Sequence, residues 1–139
     1  MLPDLSQWNV AQEKVAVILV DHGSRREESN QLLLEVIEVY RQQSDWAIVE
    51  PAHMELAEPT IATAFNRCAE RGAELVIVFP YFLGPGRHSR EDIPRLAAEA
   101  AEAWPAVQHI VTAPFGLHAT MLKVTDERIA ESLSGPPDC

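Results

Sequence analysis

Two short stretches of the chain combine proton-accepting and metal-ligating side chains with residues that bend a backbone. One is Asp21-His22-Gly23-Ser24-Arg25-Arg26. The other is Pro80-Tyr81-Phe82-Leu83-Gly84-Pro85-Gly86-Arg87-His88-Ser89-Arg90. Imidazole titrates near neutral pH, so His22 and His88 can take protons from weak acids. In its neutral form imidazole is also a ligand for iron, cobalt and nickel. Arg25, Arg26, Arg87 and Arg90 are four of the 11 Lys and Arg residues in a chain of formal charge −10. Cations gathered against the general charge form a local anion trap, and guanidinium suits two-point binding of carboxylate or phosphate. Phe82 and Leu83 either face a flat ligand or pack beneath their loop as a small satellite core. His22 taken alone either serves chemistry or ties its loop down by hydrogen bonding.

Two further stretches hold candidates. In Pro51-Ala52-His53-Met54-Glu55-Leu56-Ala57-Glu58, alternation points His53 and Glu55 the same way if a strand runs this far. Glu55 is then a third polar group of the site, or else an ordinary loop carboxylate. His53 reads as a packing or locally hydrogen-bonded residue. In Thr112-Ala113-Pro114-Phe115-Gly116-Leu117-His118, His118 is expected in the first turn of a helix. His109 carries no functional assignment.

The elements that must position these residues alternate along the chain. Apolar, β-rich runs at 15–20, 46–49, 75–79 and 107–112 read as strands, the first and third buried on both faces. Helical periodicity covers 27–42, with Leu33, Val36, Ile37 and Tyr40 on one side. It also covers 58–71 (Pro59 in the first turn, Gly72 past the end), 93–103 and 117–133. Ser24 followed by Glu27 fits a capping box at the first helix, and Gly23 allows the sharp turn before it. This βαβαβαβα order implies a single-domain, doubly wound α/β fold, a four-stranded parallel sheet with helices on both faces. Such sheets bind ligands at the C-terminal ends of their strands, where all four stretches fall.

The 139 residues suit one domain, read as an N-terminal extension over 1–14, a folded unit over 15–133 and a flexible tail over 134–139. Both ends are expected to be disordered. No apolar run is long enough to span a bilayer, and residues 1–14 lack the features of a signal peptide, so a cytoplasmic location is expected. The acidic balance argues against nucleic acid and anionic membranes as partners. Cys68 reads as a small buried hydrophobe and Cys139 as part of the tail. Neither shows zinc-type spacing.

In their order and spacing the four stretches resemble the small sirohydrochlorin chelatases (SirB or CbiX type), short members of the class II chelatases. The matching motifs are Asp21-His22-Gly23-Ser24-Arg25, His53-Met54-Glu55-Leu56-Ala57-Glu58-Pro59, the stretch from Pro80 to His88 with Asp92-Ile93-Pro94, and Thr112 to His118. The likeness runs over about 15–129 and implies a flavodoxin-like chelatase half. It implies insertion of Fe²⁺, or alternatively Co²⁺, into sirohydrochlorin. His22 and His88 would be the metal-handling and proton-accepting pair, with Glu55 assisting. Gly23, Ser24, Arg25, Phe82, Leu83, Gly84, Gly86 and Arg87 would bind the substrate. A homodimer is implied because longer relatives carry two such units. The likeness leans toward siroheme-making ferrochelatases, whose plant members carry a cysteine-rich iron–sulfur segment. The tail here has only Cys139, so no cluster and no permanent cofactor are expected, the metal being a substrate.

The residue types suit that chemistry. Metal insertion exchanges two pyrrole N–H protons for one M²⁺, and imidazole can accept protons at neutral pH. Two histidines and a carboxylate leave coordination positions open for the macrocycle, without the thiolates that would hold the metal too tightly. Two other functions use the same loops. A carrier would hold metal or tetrapyrrole without turning it over. A phosphate site would use the helix start after His22-Gly23-Ser24, although neither a phosphoryl-transfer motif nor Gly-x-Gly-x-x-Gly is present.

Overall fold

The computed structural model describes residues 3–84 and 86–135, with residues 87–89 described by backbone alone. The elements are β1 (Val15–Asp21), α1 (Glu27–Gln43), β2 (Ile48–His53), α2 (Ile61–Glu70), β3 (Leu75–Pro80), α3 (Arg87–Ala101), β4 (Gln108–Val111) and α4 (Ala119–Ser134). The four strands form one parallel sheet in the order β2-β1-β3-β4. The expected doubly wound architecture is therefore present.

Alternation along β1 divides the core. Ala16, Ile18 and Val20 point to one face, where Ile61, Ala64, Phe65 and Cys68 of α2 and Ile93, Ala97 and Ala100 of α3 cover them. Val17 and Leu19 point to the other, under Leu33 and Ile37 of α1. Each of those two anchors is 2% exposed, and burying such a side chain contributes about 1.5–3 kcal/mol. This division follows from right-handed crossovers. The chain steps from β1 to β2 in one direction, then from β2 to β3 to β4 in the other. α1 thus lies on one face while α2 and α3 share the opposite one. α4 contributes no buried residue to either face.

Several boundaries differ from those expected. β2 begins and ends later than 46–49 and runs through Pro51, which an edge strand tolerates because its outward N–H needs no ladder partner. α2 does not include Pro59. Glu58–Pro59 is a cis peptide, and Thr60 caps the helix by accepting from Thr63 N at 3.1 Å. α3 starts at Arg87 and holds Pro94 in its interior. No capping box opens α1. Arg26 occupies the N-cap without a side-chain bond, and Ser24 Oγ instead accepts from Arg26 N at 3.0 Å. The N-terminal segment is ordered over its described residues, with 3₁₀ turns at Ser6–Trp8 and Gln12–Lys14. It is strapped across the N-terminal ends of the strands by Gln108 Nε2 to Trp8 O (2.9 Å) and Glu74 N to Lys14 O (2.8 Å). Of the expected flexible tail, 136–139 lie outside the described residues. One buried charge sits on β2. Glu50, 8% exposed, meets Arg71 at 3.1 Å and Arg41 at 3.5 Å.

Candidate active site

β1 and β3 are neighbours, and the chain leaves them in opposite directions, so the crevice above their C-terminal ends is where such a sheet takes ligand. The loop after β1 is built around Asp21. Its Oδ1 accepts from Gly23 N at 3.0 Å and lies 2.6 Å from Nδ1 of His53, which is 1% exposed. Asp21 and His53 are also register partners in the β1–β2 ladder. An aspartate bonded to the backbone two residues on makes a turn of its own, and the buried imidazole holds that aspartate in place. The loop after β2 then closes onto the first one, Met54 N donating to Asp21 O (2.8 Å) and Glu55 N to His22 O (3.2 Å). Gly23 has φ +85°, and a Cβ there would stand 1.8 Å from Glu55 O. Only glycine satisfies both demands. Leu56, 57% exposed, also takes a left-handed conformation at φ 69°, a cost that tends to be retained at functional sites.

His22 is therefore presented by a locked turn, with its side chain exposed. Its ring stacks on Phe82, centroids 4.3 Å apart and planes 21° off parallel. Phe82 is half-buried against the α2/α3 core and lines a cavity of about 360 Å³ with Pro80, Arg90, Pro94, Thr112 and Pro114. The two alternatives for Phe82 thus hold together: it packs beneath the loop and also forms a wall. Leu83 is 68% exposed, and a Cβ on Gly84 would meet nothing within 4 Å, so this part of the loop is open to a large ligand. The loop after β4 closes the other side, Phe115 N donating to Phe82 O (3.2 Å) and Gly116 N to Leu83 O (2.6 Å).

Among the described cations some are paired and others are not, Lys14, Arg67 and Lys123 being exposed and unpaired with carboxylate away from this site. Arg41, Arg71, Arg95 and Arg128 have carboxylate partners within 4 Å. Arg25, Arg26 and Arg90 are exposed and have no carboxylate partner among the described residues. They remain available to an anion. Ser24 is held by Asn30, whose Oδ1 accepts from Ser24 N (2.9 Å) and whose Nδ2 donates to Ser24 O (2.7 Å).

Glu55 lies beyond the end of β2, so strand alternation does not align it with His53. His53 is buried while Glu55 is exposed beside the His22 turn. His118 caps α4, its Nδ1 accepting from Thr120 N at 3.2 Å, and stands just before the first turn where it was expected. His109 packs edge-on against Phe65 at 6.1 Å. Arg87 and His88 are the first two residues of α3, and their side chains lie outside the described residues. Gly86, just before them, is exposed. Among the described residues, no three His, Cys, Asp or Glu side chains converge as a metal cage. Sequence reasoning missed Asp21 as the organiser of the first loop, although Asp two residues before Gly at a strand end is a turn signal.

A family model described as CbiX matches residues 16–132. The chain is 49% identical over 118 residues to the chloroplastic sirohydrochlorin ferrochelatase of Arabidopsis thaliana, covering 85% of this chain and 52% of the relative. It is 42% identical over 82 residues to a sirohydrochlorin cobaltochelatase of Methanopyrus kandleri, covering 59% and 57%. The chain spans about half the length of the curated relatives it matches. Among solved structures, it superposes on SirB from Bacillus subtilis with Fe³⁺ at a TM-score of 0.80 and 29% identity, covering 88% of this chain and 48% of that one. It superposes on a CbiX protein of Marinobacter aquaeolei VT8 at 0.75 and 28% identity, covering 86% and 97%. With its sheet order and its match to the family model over nearly the whole chain, this protein belongs to the CbiX family.

Proposed function

We propose that the protein inserts Fe²⁺ into sirohydrochlorin, releasing two protons, with Co²⁺ as the alternative metal. The observation that carries this reading is an exposed His22 locked at the β1–β3 crevice, stacked on Phe82 and bordered by Arg25, Arg26 and Arg90, which have no carboxylate partner among the described residues. The ferrochelatase and cobaltochelatase relatives support the substrate and leave both metals in play.

In this reading the exposed imidazole of His22 binds the incoming metal and takes a pyrrole proton as a macrocycle nitrogen replaces it. His88 does the same from the start of α3, and Glu55 relays protons to solvent. The flat macrocycle lies against Phe82 and Leu83 where Gly84 leaves room, with Gly86 contacting it from the same loop. Arg25 and Arg87 pair with its carboxylates, and Gly23 and Ser24 shape the edge. Metal enters as substrate, with no permanent cofactor and no iron–sulfur cluster in the described unit. Two chains form a homodimer, a reading supported by SirB chains about twice this length. Nucleic acid and membrane are not partners. Among the described residues no helix is long and apolar enough to cross a membrane. The setting is the reducing cytoplasm, which keeps iron ferrous.

The test is anaerobic insertion with purified protein, sirohydrochlorin and either Fe²⁺ or Co²⁺, followed by absorbance. Multiple turnovers by wild type, lost in both His22→Ala and His88→Ala, are expected, and competition between metals gives the preference. Binding without turnover above the spontaneous rate would make the protein a carrier. Absence of any binding would remove both readings.

A further inference from the structure

We propose that Asp21 and the buried His53 form a positioning pair that fixes His22 and Glu55 relative to each other at the crevice. The inference rests on the chelatase reading of those two groups and deepens it, by naming the residues that act through them.

His53 is one of two buried polar or charged side chains among the described residues, and the two are built differently. Glu50 is answered by two arginines whose side chains reach the surface. His53, 1% exposed, has Asp21 as its polar partner, with Nδ1 2.6 Å from Oδ1. A carboxylate only accepts, so the proton of this bond sits on Nδ1. The same Oδ1 accepts from Gly23 N at 3.0 Å. One oxygen with two donors, one of them buried, holds the aspartate in a single orientation.

The pair stands where two loops are tied together. His22 lies between Asp21 and Gly23, inside the turn that the Asp21 bond closes. On the other side, His53 ends β2, its N donates to Pro59 O at 2.7 Å, and its backbone bridges to Thr60. The loop over 54–59, which carries Glu55, is thus closed at its base by His53. Two bonds join the loops directly, Met54 N to Asp21 O (2.8 Å) and Glu55 N to His22 O (3.2 Å). The imidazole is the side chain beneath this junction, its Cβ 3.1 Å from where a Cβ on Gly23 would stand.

Stability alone does not call for such a pair. An apolar side chain of similar size would fill the site, and exchanging a buried ionic pair for packed hydrocarbon is often neutral or stabilising. It would also leave Asp21 free to turn, and with it the backbone at His22. Reacting groups are less forgiving than a core, since a misplacement of about 1 Å can cost about 100-fold in rate. The pair therefore serves turnover more than folding.

The experiment compares Asp21→Ala, Asp21→Asn and His53→Phe with wild type in the full chain. Turnover is measured anaerobically with Fe²⁺ and sirohydrochlorin. Separately, NMR of histidine-labelled protein reads the His22 ring protons, assigned by comparison with His22→Ala, which the stacked Phe82 ring shifts upfield. Asp21→Ala and His53→Phe should each lower kcat roughly 100-fold. KM for sirohydrochlorin should change by less than about twofold, and the His22 signals should move toward those of a free histidine. Asp21→Asn keeps an oxygen for both donors and should recover most of kcat and of the ring shift. The Asp21→Ala/His53→Phe double variant should lose no more than either single one, because the two residues act as a unit. Unchanged kcat and ring shift in Asp21→Ala would overturn the proposal, even if His53→Phe does not fold. So would an Asp21→Asn protein as impaired as Asp21→Ala, which would assign the effect to charge. A wild type that binds sirohydrochlorin without turnover would overturn the chelatase reading, while the ring shift would still decide whether the pair positions His22.

Discussion

At the scale of single residues, the His22 loop is a problem in backbone geometry before it is one in catalysis. Gly23 carries a positive φ and nearly touches Glu55 O. An alanine there has to occupy the left-handed region, at a cost of about 1–2 kcal/mol, and also displace a backbone carbonyl. Gly23→Ala should therefore lower stability by about 2 kcal/mol or more and abolish insertion, read by urea unfolding and by turnover. Wild-type values of both would show the turn to be less constrained than it looks. The arginines make a different prediction. Arg25→Ala and Arg87→Ala remove binding that is equal in ground and transition states, so KM for sirohydrochlorin should rise about tenfold with kcat little changed. A pure loss of kcat would reassign them to the reacting centre. His22 and its role as a candidate were legible because a histidine between a buried run and a helix start is unusual. The Asp21–His53 pair was not, because it joins residues 32 apart that only the β1–β2 register brings opposite each other.

At the scale of elements, legibility followed local periodicity and failed at proline. β1 and β3, continuous apolar runs, fell within one residue of their expected ends. β2 was misplaced because Pro51 reads as a strand breaker unless the strand is known to lie at an edge, and edge position is a property of the whole sheet. Pro94 similarly hides the true start of α3, which lies seven residues earlier, at Arg87. Cys68 shows how an element sets the chemistry of a side chain. Burial beneath α2, then the nearby Glu50 carboxylate, push its thiol up to about 12 from 9.0. The folded state thus keeps the proton that the unfolded chain loses above pH 9. Below pH 9 this has no effect on stability, and from pH 9 to about 12 stability erodes. Between pH 8 and 10 the loss should be on the order of 1 kcal/mol. Comparing urea unfolding of wild type and Cys68→Ala at the two pH values isolates it, and equal losses in both proteins would contradict it.

At the scale of the whole molecule, the formal charge of −10 opposes the proposed anionic substrate at long range, while Arg25, Arg26 and Arg90, without carboxylate partners among the described residues, attract it at short range. These two effects respond differently to salt. Raising ionic strength from about 0.01 M to 0.15 M shortens the screening length from about 30 Å to 8 Å. That removes most of the distant repulsion and leaves contacts inside the crevice. KM for sirohydrochlorin at saturating metal should therefore fall over this range, in steady-state assays at constant pH. A rise would mean that attraction by the arginine cluster reaches well beyond the crevice.

The strapped N-terminal segment gives the molecule two distinct poles. Trp8 and Lys14 are bonded to the starts of β4 and β3, whereas His22 stands past the end of β1, about 20 Å away along a strand of this length. A surface linkage or fluorophore placed on that segment would hold the protein with its crevice facing outward. Protein immobilised on a bead, or a dye reporting by energy transfer the arrival of the proposed tetrapyrrole, could be built there without touching the crevice.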